Sequence, residues 1–167
     1  MTQPDASAAA VVGACIERGL TLATAESLTA GLLAASIADV PGCSAVLRGG
    51  IVAYQADIKA ALLGVPDEAL ALGVVSRAVA EAMAAGAARA LGADIGVATT
   101  GVAGPDPHDG EPVGSVWIAV AGPSGLSAQH LALAGGRRQV RRQTVTACLA
   151  MVMEIVSSPS GSSPGRE

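Results

Sequence analysis

Ser27, Tyr54 and Lys59 have side chains that could together carry out chemistry without a metal. Lys59 is the only lysine in a chain with nine arginines. A chain that uses arginine for routine surface charge has a specific use for a lysine where the group must lose its proton, which guanidinium does not do. The alternative is an ordinary surface lysine. Tyr54 is the only tyrosine and stands five residues earlier. It offers a phenol, or else a core aromatic with a wetted hydroxyl. Ser27 lies where a strand pattern gives way to a helical one. There a serine is a nucleophile, an anion ligand or, more simply, a helix N-cap. An amine made neutral by burial can take the proton of a serine, so these three groups could activate a hydroxyl without histidine. Spacing alone does not bring them together. The strand ending near Tyr54 must lie beside the strand ending near Ser27.

Three further groups of residues are candidates. The turn Gly101-Val-Ala-Gly-Pro-Asp follows a strand pattern, and its N–H groups could cradle a phosphate or an oxyanion. It is neither a Walker loop nor a G-x-G-x-x-G turn. Asp106, His108, Asp109 and Glu111 crowd the same loop; a solvated acidic loop fits them better than a metal site, because no fixed ligand spacing is visible. Arg137, Arg138, Arg141 and Arg142 open the last helix. Arg137 and Arg141 share a face and could hold a phosphate, with a solvated basic face the better account of at least two of the four.

These residues need elements to position them. A first helix is expected over 5–17, with Asp5 or Ser7 as N-cap and Gly19 as terminator. A strand at 21–25 is followed by a helix after Ser27, running apolar over 28–40. A second strand covers 47–54 with Gly49 and Gly50 inside it, which implies a bulge or the close approach of another backbone. A short helix at 57–63 stops at Gly64, and Pro66 starts another turn of helix. Ser76 caps a helix to about residue 91, so rich in alanine that it can lie close against a sheet. A strand at 94–100, the long loop 101–114, strands at 113–121 and 126–133 and a helix over 137–156 complete the domain. That last helix is apolar nearly all round in its second half, which implies burial on two sides and, in part, a homodimer. The Ser/Pro/Gly-rich segment 157–167 reads as a disordered tail. The order of elements predicts an α/β fold, a three-layer α/β/α sandwich with a five-stranded mixed, mostly parallel sheet, in one domain over 1–156.

Composition excludes several classes of function. Hydrophobic residues are 51% of the 167 and charged ones 14%, as in a core-rich globular chain. One Trp, one Tyr and no Phe leave nothing on which single-stranded nucleic acid could stack. A net charge of −4 without a basic run disfavours a DNA backbone. The stretch 112–136 has no Asp, Glu, Lys or Arg, but Gly122, Pro123, Ser124 and Gly125 make it a hairpin and not a membrane span. Cys15, Cys43 and Cys148 are widely spaced and odd in number, which suits reduced thiols in a cytoplasmic protein. The N-terminus lacks the order of a signal peptide.

Six segments resemble the CinA C-terminal domain family. They are Thr-Ala-Glu-Ser-Leu-Thr-Ala-Gly (24–31), Arg-Gly-Gly-Ile-Val-Ala-Tyr (48–54), Lys59 with Leu63-Gly-Val, Gly73-x-Val-Ser76, Thr100-Gly-Val-Ala-Gly-Pro (100–105) and Pro112-Val-Gly-Ser-Val-Trp (112–117). The resemblance covers about 9–155 and extends to stand-alone nicotinamide-nucleotide amidases of the PncC type. It implies hydrolysis of the carboxamide of nicotinamide mononucleotide to nicotinate mononucleotide and ammonia. It places the catalytic Ser, Tyr and Lys on Ser27, Tyr54 and Lys59, and substrate binding is assigned to Glu26, Thr29, Gly31, Thr100, Gly101, Gly104 and Arg137. The mechanism this implies has Ser27 attack the carbonyl carbon, Lys59 take the proton and Tyr54 relay or orient it. N–H groups at the start of the helix after Ser27, with those of 101–104, are expected to hold the oxyanion. No cofactor or metal is expected. The chain departs from the family pattern at Ala30, where Gly is usual, at Ala56, where Asn is frequent, and at Gly136, where Asp commonly precedes the arginine. Those departures keep open a non-hydrolytic pyridine-nucleotide-binding or regulatory module.

Overall fold

The computed structural model describes residues 7–158. The fold begins with helix α1 (Ala8–Arg18), capped by Ser7, whose side chain accepts from the N–H of Ala10, and ended by Gly19 at φ 64°. Of the two candidate caps, Asp5 lies outside the described residues. Strand β1 (Leu22–Glu26) is buried along its whole length. The helix expected directly after Ser27 does not begin there. Residues 27–31 form a turn with Ala30 at φ 48°, and helix α2 (Leu32–Ala38) starts only after Gly31 at φ 95°. The reason is local. The Glu26 carboxylate accepts from the N–H of Leu33 at 2.8 Å and of Ala34 at 3.1 Å. That carboxylate satisfies two of the donors a helix start leaves open and fixes where α2 begins.

A 3₁₀ turn (Cys43–Ala45) leads to strand β2 (Leu47–Val52). Helix α3 (Ala56–Leu63) ends at Gly64, and the short helix α4 (Asp67–Ala71) follows, with Pro66 at its N-cap. Helix α5 (Arg77–Leu91) is capped by the Ser76 side chain. Strand β3 (Ile95–Gly101) and the loop 102–114 precede strands β4 (Ser115–Gly122) and β5 (Gly125–Ala132), a hairpin turning on Pro123 and Ser124. Helix α6 (Arg137–Ser157) closes the described chain. The expected tail falls almost wholly outside it.

The five strands form one sheet in the order β2-β1-β3-β4-β5. β1 runs parallel to β2 and to β3, and β4 runs antiparallel to β3 and β5, so β4 alone is reversed. Strand alternation gives the two faces different characters. Leu22, Ile95, Val97, Val116, Ile118 and Val120 pack under α1, α2 and α6. Ala23, Ala25, Ala98 and Ala119 face α5, with α3 packed alongside it. Alanine on both sides lets α5 approach the sheet closely. A Cβ on Gly96 would lie 1.9 Å from the carbonyl oxygen of Ala84. Of the two effects expected of Gly49 and Gly50, the bulge occurs, as the β1–β2 register skips between Leu22 and Ala23; what approaches Gly50 is not a backbone but the Thr24 side chain, whose Oγ1 a Cβ would meet at 2.5 Å.

The apolar second half of α6 is covered within the chain by α1, α2 and the sheet, burying Val145, Cys148, Leu149, Val152 and Val156. Cys15 and Cys148 are free and buried, and burial pushes the Cys15 thiol up to about 11. Among the described residues no helix is long and apolar enough to cross a membrane.

Candidate active site

Because β1 and β2 are adjacent and parallel, they end at the same edge. Glu26 pairs with Val52, and the N–H of Ala53 extends the ladder to the carbonyl of Glu26 at 2.9 Å. Ser27 therefore sits beside the segment 53–55, at the carboxyl ends of the parallel strands, where open α/β sheets place ligands. The Ser27 N–H donates to the carbonyl of Thr99 on β3 at 3.0 Å, which fixes the backbone from its other side.

Lys59 projects from α3 back toward this point. Its Nζ lies 2.9 Å from Ser27 Oγ, 2.9 Å from the carbonyl of Ala53 and 3.1 Å from that of Tyr54. Lys59 is 1% exposed, and burial pushes its amine down from 10.5 to about 8. Desolvation disfavours the charged form. The geometry suits the neutral form: an amine has two hydrogens for the two carbonyls and one lone pair for the Ser27 hydroxyl proton. No buried side-chain nitrogen or oxygen among the described residues lacks a hydrogen-bond partner, so this pair is fully accommodated.

Tyr54 is placed differently from the relay its hydroxyl suggests. The ring is 46% exposed, and the hydroxyl accepts from Arg137 Nη2 at 2.7 Å; it makes no hydrogen bond with Ser27 or Lys59. What Tyr54 gives Lys59 is its backbone carbonyl. Arg137 also donates to the carbonyl of Gly104 at 2.7 Å, tying Tyr54 to the loop 102–114.

A cavity of about 260 Å³ opens in front of the pair. Ser27, Tyr54, Lys59, Thr100, Gly101, Gly104 and Arg137 line it. Glu26, Thr29 and Gly31 do not. Glu26 is spent on the start of α2 and on Thr24 Oγ1, which donates to it at 3.2 Å. Thr29 Oγ1 bonds Thr99 Oγ1 at 2.8 Å beneath the turn, and Gly31 supplies the left-handed entry to α2. The positive end of α2 is thus filled by the chain's own carboxylate, so the start of α2 itself presents no open donor to an oxyanion. Val102 and Ala103, inside the turn expected to hold an oxyanion, line the wall as well, while sequence reasoning missed Leu28, Gln55, Val74 and Val75 there. Val74 and Val75 carry no local signal; Thr100 Oγ1 draws that segment in by donating to the carbonyl of Val74 at 2.8 Å.

The acidic loop disperses. Asp106 and His108 reach the cavity rim, the Asp109 carboxylate accepts from the N–H of Val74 at 3.3 Å, and Glu111 accepts from Ser115 Oγ at 2.7 Å. Among the described residues no three of His, Cys, Asp and Glu are grouped as metal ligands would be. Of the four arginines, Arg137 and Arg141 make hydrogen bonds through their side chains, while Arg138 and Arg142 are exposed. Gly136 brings no capping side chain to α6; its N–H donates instead to Gln139 Oε1 at 2.8 Å.

A buried serine hydroxyl against an amine of lowered basicity, facing a small cavity walled by a glycine-rich loop, is equipped for acyl transfer. The sequence model of the CinA C-terminal domain matches residues 5–156. A CinA-like protein of Frankia casuarinae is 46% identical over 154 residues, covering 92% of this chain and 36% of that protein. A putative competence-damage inducible protein of Desulforamulus reducens is 49% identical over 137 residues, 81% of this chain and 33% of the relative. The chain thus spans about a third of the length of these curated relatives. Among solved structures, a CinA superfamily protein of Klebsiella pneumoniae superposes with TM-score 0.87 at 33% identity, covering 94% of this chain and 99% of that one. The competence/damage inducible protein CihA of Agrobacterium tumefaciens gives 0.85 at 34%, covering 93% and 98%.

Proposed function

The chain belongs to the CinA C-terminal domain family, and from that premise we propose that it is an amidohydrolase acting on nicotinamide mononucleotide. The observation that carries this reading is the 2.9 Å contact between Lys59 Nζ and Ser27 Oγ in a buried setting. Neutral Lys59 accepts the Ser27 proton as Oγ forms a bond to the carboxamide carbon, and the carbonyl π pair moves onto oxygen. Lys59 then returns the proton to nitrogen as the C–N bond breaks, and ammonia leaves. Water, deprotonated by the same amine, cleaves the acyl-serine to free nicotinate mononucleotide and Ser27. The guanidinium of Arg137 at the cavity wall suits a phosphate group. The small volume favours a mononucleotide over a dinucleotide.

The test is release of ammonia from nicotinamide mononucleotide by the wild-type chain and by Ser27→Ala. Turnover by the wild type that is lost in the variant supports the reading. Turnover that survives the substitution removes Ser27 as nucleophile. Calorimetric binding of the nucleotide without any turnover would instead mark a binding or regulatory module.

A further inference from the structure

Arg141 approaches the turn 27–31 from α6, on the side of the sheet that carries α1 and α2. Its Nε donates to the carbonyl of Leu28 at 2.9 Å and its Nη2 to that of Thr29 at 2.8 Å. One planar guanidinium thus grips two successive peptide groups, which only an arginine fork can do. The turn needs holding. Leu28, Thr29 and Ala30 read as the first turn of a helix, yet Ala30 sits at φ 48° and Gly31 at φ 95°. A left-handed alanine is strained and persists only when its surroundings fix it. The N–H of Ala30 closes the turn on the carbonyl of Ser27 at 3.1 Å.

The consequence lies on the other side of those peptides. In a trans peptide the N–H points opposite to the C=O. With the Leu28 carbonyl committed to Arg141, the N–H of Thr29 points away from α6. With the Ser27 carbonyl committed to Ala30, the N–H of Leu28 points out of the turn. Neither N–H has a hydrogen-bond partner among the described residues, although Leu28 is 2% exposed and Thr29 fully buried. Buried backbone donors are almost always paired, so the open N–H of Leu28, directly after the Ser27 nucleophile, is a place held for an acceptor. Leu28 itself lines the cavity. In strand–turn–helix hydrolases the N–H of the residue after the nucleophile is an oxyanion donor.

We propose that Arg141 is a positioning residue: by holding the Leu28 and Thr29 carbonyls, it fixes the turn so that the N–H of Leu28, on the cavity wall, stays aimed at the oxygen that becomes negative when Ser27 adds to the carboxamide. This rests on the amidase reading above. It also supplies what α2 cannot, since the start of that helix is taken by Glu26. Arg141 touches neither substrate nor reacting atoms, so its loss acts on the transition state and not on substrate binding.

The experiment compares wild type, Arg141→Ala, Arg141→Lys and Arg141→Gln for steady-state deamidation of nicotinamide mononucleotide, with a melting curve for each. Losing an oxyanion donor costs about 10²–10³ in kcat, so Arg141→Ala should fall by that order with KM within about threefold. Lysine, a single point donor, should recover only part of kcat. Guanidinium chloride at non-denaturing concentration should rescue Arg141→Ala by at least about tenfold and leave Arg141→Lys unchanged, which a merely structural role would not produce. Should Arg141→Ala fail to fold, the Gln and Lys variants carry the same comparison. An active wild type whose folded Arg141 variants keep kcat, or lose kcat and substrate affinity together without guanidinium rescue, overturns this inference alone. An inactive wild type overturns the amidase reading itself.

Discussion

Lys59 Nζ and Ser27 Oγ meet at 2.9 Å from positions 32 residues apart, on different elements. Among the described residues no carboxylate forms an ion pair with Lys59. The amine is buried against two backbone carbonyls and a hydroxyl, so nothing of opposite full charge offsets its desolvation. This is the arrangement that makes a lysine a base near neutral pH.

Lys59→Arg should therefore abolish turnover, although it preserves charge. Guanidinium stays protonated and cannot accept the Ser27 proton, so kcat should drop by at least ~100-fold. Ammonia release under saturating substrate is the measurement. A variant that keeps most of kcat and changes only KM would move Lys59 from proton transfer to substrate binding.

The pH dependence has a definite sign. Lys59 works as the neutral amine, so kcat/KM should rise about tenfold per pH unit below its value of about 8 and level off above it. Stability follows the same group. Between about 8 and 10.5 the unfolded chain holds the proton that the folded chain has lost, so Lys59 makes unfolding harder as pH rises through that window. Below about 8 its burial weighs fully against folding. Denaturant titrations across that range should show the slope, and Lys59→Met should flatten it.

Tyr54→Phe separates the two contributions of Tyr54. The carbonyl that accepts from Lys59 is retained and the hydroxyl bonded to Arg137 is lost. Removing a hydrogen bond to a charged group predicts a KM increase of roughly tenfold, with kcat within about threefold and an unshifted pH profile. A collapse of kcat instead would give the hydroxyl a role in proton transfer.

Chelation should leave activity intact. The Ser27–Lys59 pair supplies both nucleophile and base, and among the described residues Asp106, His108, Asp109 and Glu111 bring no three potential ligands together, His108 meeting only Asp109 at 3.8 Å. Dialysis against EDTA followed by assay tests this. Loss restored by zinc, manganese or magnesium would overturn the mechanism and make Asp106 and His108 the next residues to substitute.

Gly96→Ala should destabilise the fold without touching the site. The added methyl would meet the carbonyl of Ala84 at 1.9 Å, between a strand and a helix that cannot separate locally. Overpacking of this kind costs about 2–3 kcal/mol, which lowers the melting temperature by about 5–10 °C in a chain of this length. An unchanged melting temperature would show that α5 can shift outward.

Much of this protein was legible in the residues themselves. Period-two and helical spacing, with Ser76, Gly19 and Gly64 as punctuation, are local signals, and they placed the strands, α1, α3 and α5 within a few residues. Uniqueness singled out Lys59 and Tyr54, and the alanine runs foretold how closely α5 meets the sheet. What the sequence could not decide depends on contacts between distant segments. The Leu28–Val40 run reads as a continuous helix until the Glu26 carboxylate and the Arg141 fork, 113 residues from Leu28, impose a turn on it. Tyr54 stands beside the other catalytic candidates in every linear reading. Only the paths of α6 and α3 show that its hydroxyl belongs to Arg137 and its carbonyl to Lys59. Val74 and Val75 enter the cavity wall where Thr100 and Asp109 bind the backbone of Val74, and no pattern of side chains records a backbone bond made across the fold.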